Sequence, residues 1–375
     1  MSKKSKIIIL VTAVVIASAA ILFFNRDKFI KKKNYTHAVV LNQADRTDSK
    51  SASYEPFCDG FLRYSRDGIA YYSPDNVAQW NASYELQSPI ISIRGEYCAV
   101  AGAGSSMLYV FNRDGLVMSV DTIQYINAIS MSAKGYVAVI LEDANAQYID
   151  MYDTIGEKVY HIKTSISGNG VPSAMSVSDD AAKLVVSYLT IEGNTVNTSV
   201  AFYNFGEVGK NEPERLVGGF DQYDGMYIPT VEFVNSNTVV AFATGKISIY
   251  TISQYPKLVA DIIPESEIRE VFYSNDYIGI IYSDKNVEKP YALFVYDVKG
   301  NKVCEIELSQ NYRKYQFIEN NILMYDDFKV ILMDFNKQER FEGTFVSLID
   351  AFIPVSGDDT YVYINSRKVQ KIQLE

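Results

Sequence analysis

From Ser53 onward, apolar residues alternate with polar ones or run for four to seven positions, then give way to Gly, Asn, Asp or Ser. Period-two alternation in short runs bounded by turn formers predicts short β-strands joined by tight turns, with no long helical stretch between them. One local pattern recurs: an alternating strand, then an aromatic or Met, then Asn, Asp, Ser or Thr. It appears at Tyr72-Ser73, Phe111-Asn112, Tyr152-Asp153, Tyr203-Asn204, Tyr250-Thr251, Tyr296-Asp297 and Met333-Asp334, at spacings of 39, 41, 51, 47, 46 and 37 residues. A second row precedes the first, with strands expected at residues 61–65, 97–101, 136–141, 184–189, 239–243, 277–282, 322–325 and 361–364. Eight units at about 40 residues each match four-stranded propeller blades. The polar member of each pair is expected to hydrogen-bond the backbone of the next turn, with Gly supplying a positive φ, as in Asn112-Arg113-Asp114-Gly115 and Asp297-Val298-Lys299-Gly300. The fold class is therefore all-β, a β-propeller of four-stranded blades over residues 54–375. The last unit ends after three strands, at Lys368–Leu374, and the first has a poor inner strand near Tyr54–Cys58. Eight blades are preferred to seven with shared terminal strands.

The amino end follows a different pattern. Ile7–Phe24 is apolar apart from Thr12 and Ser18, and at 1.5 Å per residue these 18 positions span about 27 Å, near the thickness of a bilayer core. The expected order is a basic tail (1–6), a single transmembrane helix (7–24), a basic juxtamembrane segment with a polar stalk (25–53), then the propeller. Val39, Val40 and Leu41 offer one short strand within the stalk. Ala17-Ser18-Ala19 leaves a cleaved signal peptide open, although the apolar run continues past it.

Charge separates the two parts. Residues 1–33 carry eight Lys or Arg and one Asp, a net +7, so the whole-chain charge of −10 leaves −17 on the remainder. Such an acidic body repels phosphate backbones, and no nucleic-acid partner is expected. Three Lys before the apolar run and five Lys or Arg after it favour a cytoplasmic body by the positive-inside count. The short tail before the run has instead the form of an uncut signal sequence, which places the body outside the cytoplasm; that location at the cell membrane is the expectation adopted. With two His and three Cys, neither a disulfide scaffold nor a multi-ligand metal site is expected.

The aromatic–Asp pairs stand where WD40 propellers place Trp-Asp, and the stretch from Gly68 to Trp80 resembles a quinoprotein repeat. Only one unit keeps Trp, so the resemblance is to the fold and not to quinone binding. Anchor, stalk and degenerate propeller together resemble a family of single-pass bacterial proteins known only as a domain of unknown function. That resemblance implies an architecture and an extracytoplasmic location, and no activity.

Candidate chemistry is sparse. His37 falls in the stalk and His161 on an outer strand, Lys158–Lys163, so neither suits a Ser-His-Asp triad. Asp179-Asp180, Asp326-Asp327 and Asp358-Asp359 lie in turn-like sequence, and strand neighbours point to opposite faces, which does not suit paired carboxylate catalysis. Gly102 and Gly104 lack the Lys-Ser/Thr of a phosphate loop. Glu232, Glu270 and Asp350 lie on expected innermost strands, where they would line an acidic channel or hold a cation. The longest unit carries residues 190–198 and 221–229, where Tyr223, Asp224 and Tyr227 combine flat rings with carboxylates, a mixture that suits a sugar or a peptide. The face formed by loops between second and third strands and between blades is the expected working surface. The expectation is a non-catalytic, membrane-tethered scaffold without a cofactor or metal, binding an envelope protein partner. The alternative, motivated by the 29 Tyr, is a receptor for wall glycan or peptide through a Tyr-rich loop face, and an enzyme such as a glycosidase or quinone-dependent dehydrogenase ranks third.

Overall fold

The computed structural model describes residues 33–47, 51–144, 146–164, 170–284, 286–355 and 359–375. The apolar run 7–24 lies outside the described residues. Thirty-two strands, numbered β1 to β32 in chain order, form eight antiparallel sheets of four. Seven sheets are simple meanders in chain order. Their first strands are β2 (Ser53–Phe57), β6 (Pro89–Arg94), β10 (Tyr125–Met131), β14 (Val171–Val177), β18 (Thr230–Asn235), β22 (Ile268–Tyr273) and β26 (Lys314–Ile318). These open blades 1 to 7. First strands of neighbouring blades meet around the axis, in blades 2 to 5, in blades 6 and 7, and in blades 8 and 1.

The eighth blade closes the ring. It contains β30 (Ile349–Pro354), β31 (Thr360–Asn365), β32 (Lys368–Leu374) and, as its outermost strand, β1 (Ala38–Asp45). Ala38 pairs with Leu374 and Asp45 with Lys368, with a bulge between Val40 and Asn42. Residues 38–45 are thus not stalk but the missing fourth strand. The physical reason is that β32 would otherwise expose a row of unpaired backbone groups, and the amino-terminal segment covers it. The propeller therefore begins before Ser53.

Eight hydrophobic clusters, one between each pair of adjacent blades, make up the core. The recurring aromatic residues sit at the third-strand ends and bridge these interfaces: Phe111 joins blades 1 and 2, Tyr152 joins 2 and 3, Tyr203 joins 3 and 4, and Tyr250 joins 4 and 5. The polar residues beside them hold the turns. Asp297 accepts from the backbone amides of Lys299 and Asn301, both at 2.9 Å, and Gly300 takes φ 87°. Asp334 does the same for Asn336 and Gln338 at 2.9 and 3.0 Å. The interface between blades 8 and 1 is the thinnest, with six buried residues including Phe61, Val362 and Ile364.

The antiparallel meanders give the disc two faces. Loops between first and second strands and between third and fourth strands lie on one face, here called lower. Loops between second and third strands, and between blades, lie on the upper face.

Candidate functional site

Innermost strands present their side chains to the axial channel, and a regular device links four of them. The backbone amide of Met131 donates to Ser92 Oγ at 2.9 Å, that of Val177 to Ser130 Oγ at 3.0 Å, and that of Phe233 to Ser176 Oγ at 3.0 Å. Each Ser thus ties its blade to the next. At the corresponding position of blade 5 stands Glu232, and the ladder ends there.

Glu232 faces Arg94, the last residue of β6. Arg94 ion-pairs with Asp179 in blade 4, lies 3.4 Å from Glu232 Oε1 in blade 5, and donates to the Phe233 carbonyl at 2.6 Å. One guanidinium therefore joins blade 2 to blades 4 and 5. Glu232 keeps 22% of its side chain exposed, but that exposure is inside the channel, where protein rather than bulk water surrounds it. Desolvation pushes its carboxyl up to about 7, against the opposing pull of Arg94 and of hydrogen bonds from Ser176 and Tyr273.

The other two channel acids are separate from it. Asp350, near the start of β30, sits at the upper end and is ion-paired with the buried Arg46. Glu270 in β22 has its carboxyl raised by burial, with Lys314 opposing. The three acids expected to line a throat are all on innermost strands, but they do not converge. Glu232 and Asp350 each face an Arg. Among the described residues no group of three or more His, Cys, Asp or Glu side chains gathers to hold a metal.

The blade-4 cluster divides. Strands β15 (Lys183–Glu192) and β16 (Thr195–Asn204) have ten residues each and β17 (Leu216–Asp224) has nine, longer than any other strand. Blade 4 therefore rises above the upper face as a three-stranded projection instead of a loop. Tyr223 lies within that sheet and is fully buried; its hydroxyl bonds that of Tyr250, and Lys246 Nζ stands 4.6 Å from its ring centroid. A binding role for Tyr223 is corrected by this position, since strand alternation turns its side chain into the blade 4–5 core. Asp224 is exposed and Tyr227 is 39% exposed.

His161, on the outermost strand of blade 3, is half-exposed, and its Nδ1 donates to the buried Asp150 at 2.6 Å; Lys158 Nζ bonds the same carboxylate at 2.9 Å. The pair satisfies a buried acid at the disc edge, away from the channel. His37 lies just before β1. Asp179 and Asp180 occupy a lower-face turn, as does Asp359, while Asp326 caps an upper-face turn through the amides of Phe328 and Lys329 at 2.9 and 2.8 Å. Asp358 lies outside the described residues.

Apolar exposure is uneven between the faces. The most exposed large apolar side chains among the described residues are Val346, Val287, Ile123, Ile155, Ile191, Ile263 and Tyr125. All except Ile155 stand on the upper face, in inter-blade loops, second–third strand connections or the strand ends beside them. Of these only Ile191 falls in a segment singled out from the sequence, residues 190–198, and Arg94 falls in none. The available signal for Arg94 was that it is the only charged residue ending a first strand.

A model of a family of unknown function, DUF5711, matches residues 31–374. A search of the curated proteins finds no match. Among solved structures, BamB from Moraxella catarrhalis is similar with a TM-score of 0.54 at 12% identity, over 91% of this chain and 98% of that one. Saccharomyces cerevisiae Sqt1 gives 0.53 at 11% identity, over 92% and 99%. The structure of KlAtg21 with the coiled coil of AgAtg16 gives 0.53 at 13% identity, over 79% and 99%. At these identities the likeness is one of fold.

Proposed function

The chain belongs to the DUF5711 family of unknown function, and from that premise we propose that it is a non-catalytic, membrane-tethered β-propeller that binds a protein partner through its upper face. The observation that carries this reading is the concentration of exposed apolar side chains there, with Ile123 85%, Ile191 70% and Val346 101% exposed. Scattered exposed apolar residues are ordinary on any protein, whereas a bias to one face favours a contact surface. A propeller of similar fold stands in a complex with a coiled coil, which supports a protein as the occupant. The tether is the apolar run 7–24, and the short basic tail before it supports a body outside the cytoplasm. The glycan or peptide alternative rests on the excess of Tyr and a Tyr-rich loop face; with Tyr223 in the core, only Tyr227 and Asp224 of its three residues stay exposed, and no specific observation favours it.

The test is site-specific photo-cross-linking in cells, with the reactive group at 123, 191 or 346 on the upper face and at 155 on the lower. A discrete protein adduct from the upper positions and none from 155 is expected. Equal capture from both faces, or from neither, removes the upper face as the contact surface. An impermeant amine reagent on intact cells checks the side: labelling of lysines beyond residue 33 is expected, and protection until lysis would put the body in the cytoplasm.

A further inference from the structure

The closing strand fixes where the tether joins the disc. Lys33 Nζ pairs with Asp359 at 3.2 Å, and Arg340 Nη1 donates to Asn34 Oδ1 at 2.9 Å. The Tyr35 amide donates to the Arg340 carbonyl at 2.7 Å, and the Thr36 amide to the Glu375 carbonyl at 2.6 Å. The chain is thus held from Lys33 onward. Its contacts there are all lower-face groups: Asp359 lies in the turn between the first two strands of blade 8, and Arg340 lies near the start of the fourth strand of blade 7, β29 (Glu339–Thr344). From this point β1 runs upward, reaching the upper face at Arg46, beside Asp350.

Only residues 25–32 separate this fixed point from the end of the apolar run. Eight residues span at most about 29 Å when fully extended. Blade strands of about six residues make the disc at least about 20 Å thick. To bring the upper face to a bilayer, the connector would have to run back along the outside of blade 8, using most of its length before the loops were cleared. Entry from below needs no such detour. The connector is also cationic, with Arg26, Lys28, Lys31 and Lys32 against Asp27, a composition attracted to anionic head groups.

We infer that the propeller is held with its lower face toward the bilayer and its upper, apolar-bearing face directed away from it. This rests on the reading of residues 7–24 as a membrane anchor. It means that the tether leaves the proposed contact surface open and excludes partners from the lower face by proximity to lipid.

The test uses the full chain in vesicles of phosphatidylcholine and phosphatidylglycerol containing a head-group quencher, in a Cys58→Ser background, with a fluorophore on Val77→Cys or Val346→Cys. The two positions lie on opposite faces, Val77 in the lower-face turn of blade 1 and Val346 in the upper-face loop between blades 7 and 8, so both are next to blade 8; they are 57% and 101% exposed, and height above the membrane is the main variable. Co-flotation that survives carbonate, with quenching at 77 at least twofold greater than at 346, is expected. Loss of flotation in carbonate overturns the anchor and the orientation with it. Retained flotation with equal or reversed quenching overturns the orientation alone. A 20-residue Gly/Ser insertion between Lys32 and Lys33, reaching about 25 Å in r.m.s. terms, is expected to abolish the difference. Its persistence would show that the short connector is not the cause.

Discussion

At the scale of single residues, the most informative side chain is Glu232. Its carboxyl titrates near 7 in the folded protein because the channel desolvates it, against about 4.3 in an unfolded chain. The native state therefore holds this proton more tightly than the unfolded state does. Linkage then lowers stability as pH rises through the window from about 4.3 to 7, with no further change above it. Glu232→Gln keeps the shape and removes the titration, so its melting temperature is expected to fall less than that of the parent across this window. Thermal scans at pH 5, 6, 7 and 8 decide it; parallel curves would mean that Arg94 compensates the buried charge fully. Arg94→Met leaves Asp179 and Glu232 without their shared cation. A loss of about 2 kcal/mol is expected, below the 3–5 typical of a fully buried pair because Arg94 and Asp179 keep some exposure and Glu232 can take up a proton. Tyr223 and Tyr227 separate packing from surface. Tyr223→Ala opens a cavity in the blade 4–5 core and is expected to cost about 3–5 kcal/mol, by analogy with other large aromatic truncations. Tyr227→Ala is expected to stay within about 0.5 kcal/mol. Urea titrations distinguish them, and only the second substitution is a fair probe of partner binding.

At the scale of elements, the interface between blades 8 and 1 is the place to break the ring. Ile364 is fully buried there. Ile364→Ala is expected to cost about 2–5 kcal/mol and to raise amide exchange first in β1 and β32, because that seam has the fewest buried neighbours to compensate. Uniform exchange across all eight blades would contradict a weak seam. The elements also show what was legible in the chain. Second strands such as Tyr97–Gly102 and Tyr277–Ser283 are buried on both faces, so their apolar runs stood out. The Asp and Asn after the third strands act on amides only two to four residues away, a range at which sequence is informative. β1 was legible only as a short apolar patch, because it is outermost, largely solvent-facing and paired with a strand more than 320 residues later. Arg94 was missed for the same reason: its partners Asp179 and Glu232 lie two and three blades away, and nothing near Arg94 in the chain announces them. Tyr223 was misplaced because strand β17 runs farther than its turn-forming residues suggest, and one strand position decides which face a side chain meets.

At the scale of the whole molecule, closure makes stability depend on a segment next to the proposed tether. Removing residues 1–45 deletes β1 and leaves the backbone edge of β32 unpaired, along with the contacts of Lys33, Asn34 and Tyr35. An exposed edge of seven residues is a template for another chain. The truncated protein is therefore expected to melt well below a version beginning at residue 33, and to form dimers or larger species as its concentration rises. Adding a peptide of residues 33–46 in trans should restore both properties, since its pairing with Lys368–Leu374 replaces the lost strand. Size-exclusion chromatography with light scattering, with and without the peptide, reads the outcome. A truncated protein that stays monomeric and equally stable would mean that β1 only decorates blade 8. Rescue by the peptide would make β1 a true closing strand. Force on the proposed tether would then act directly on the strand that shuts the ring, and the proposed anchor and the fold would share one structural element.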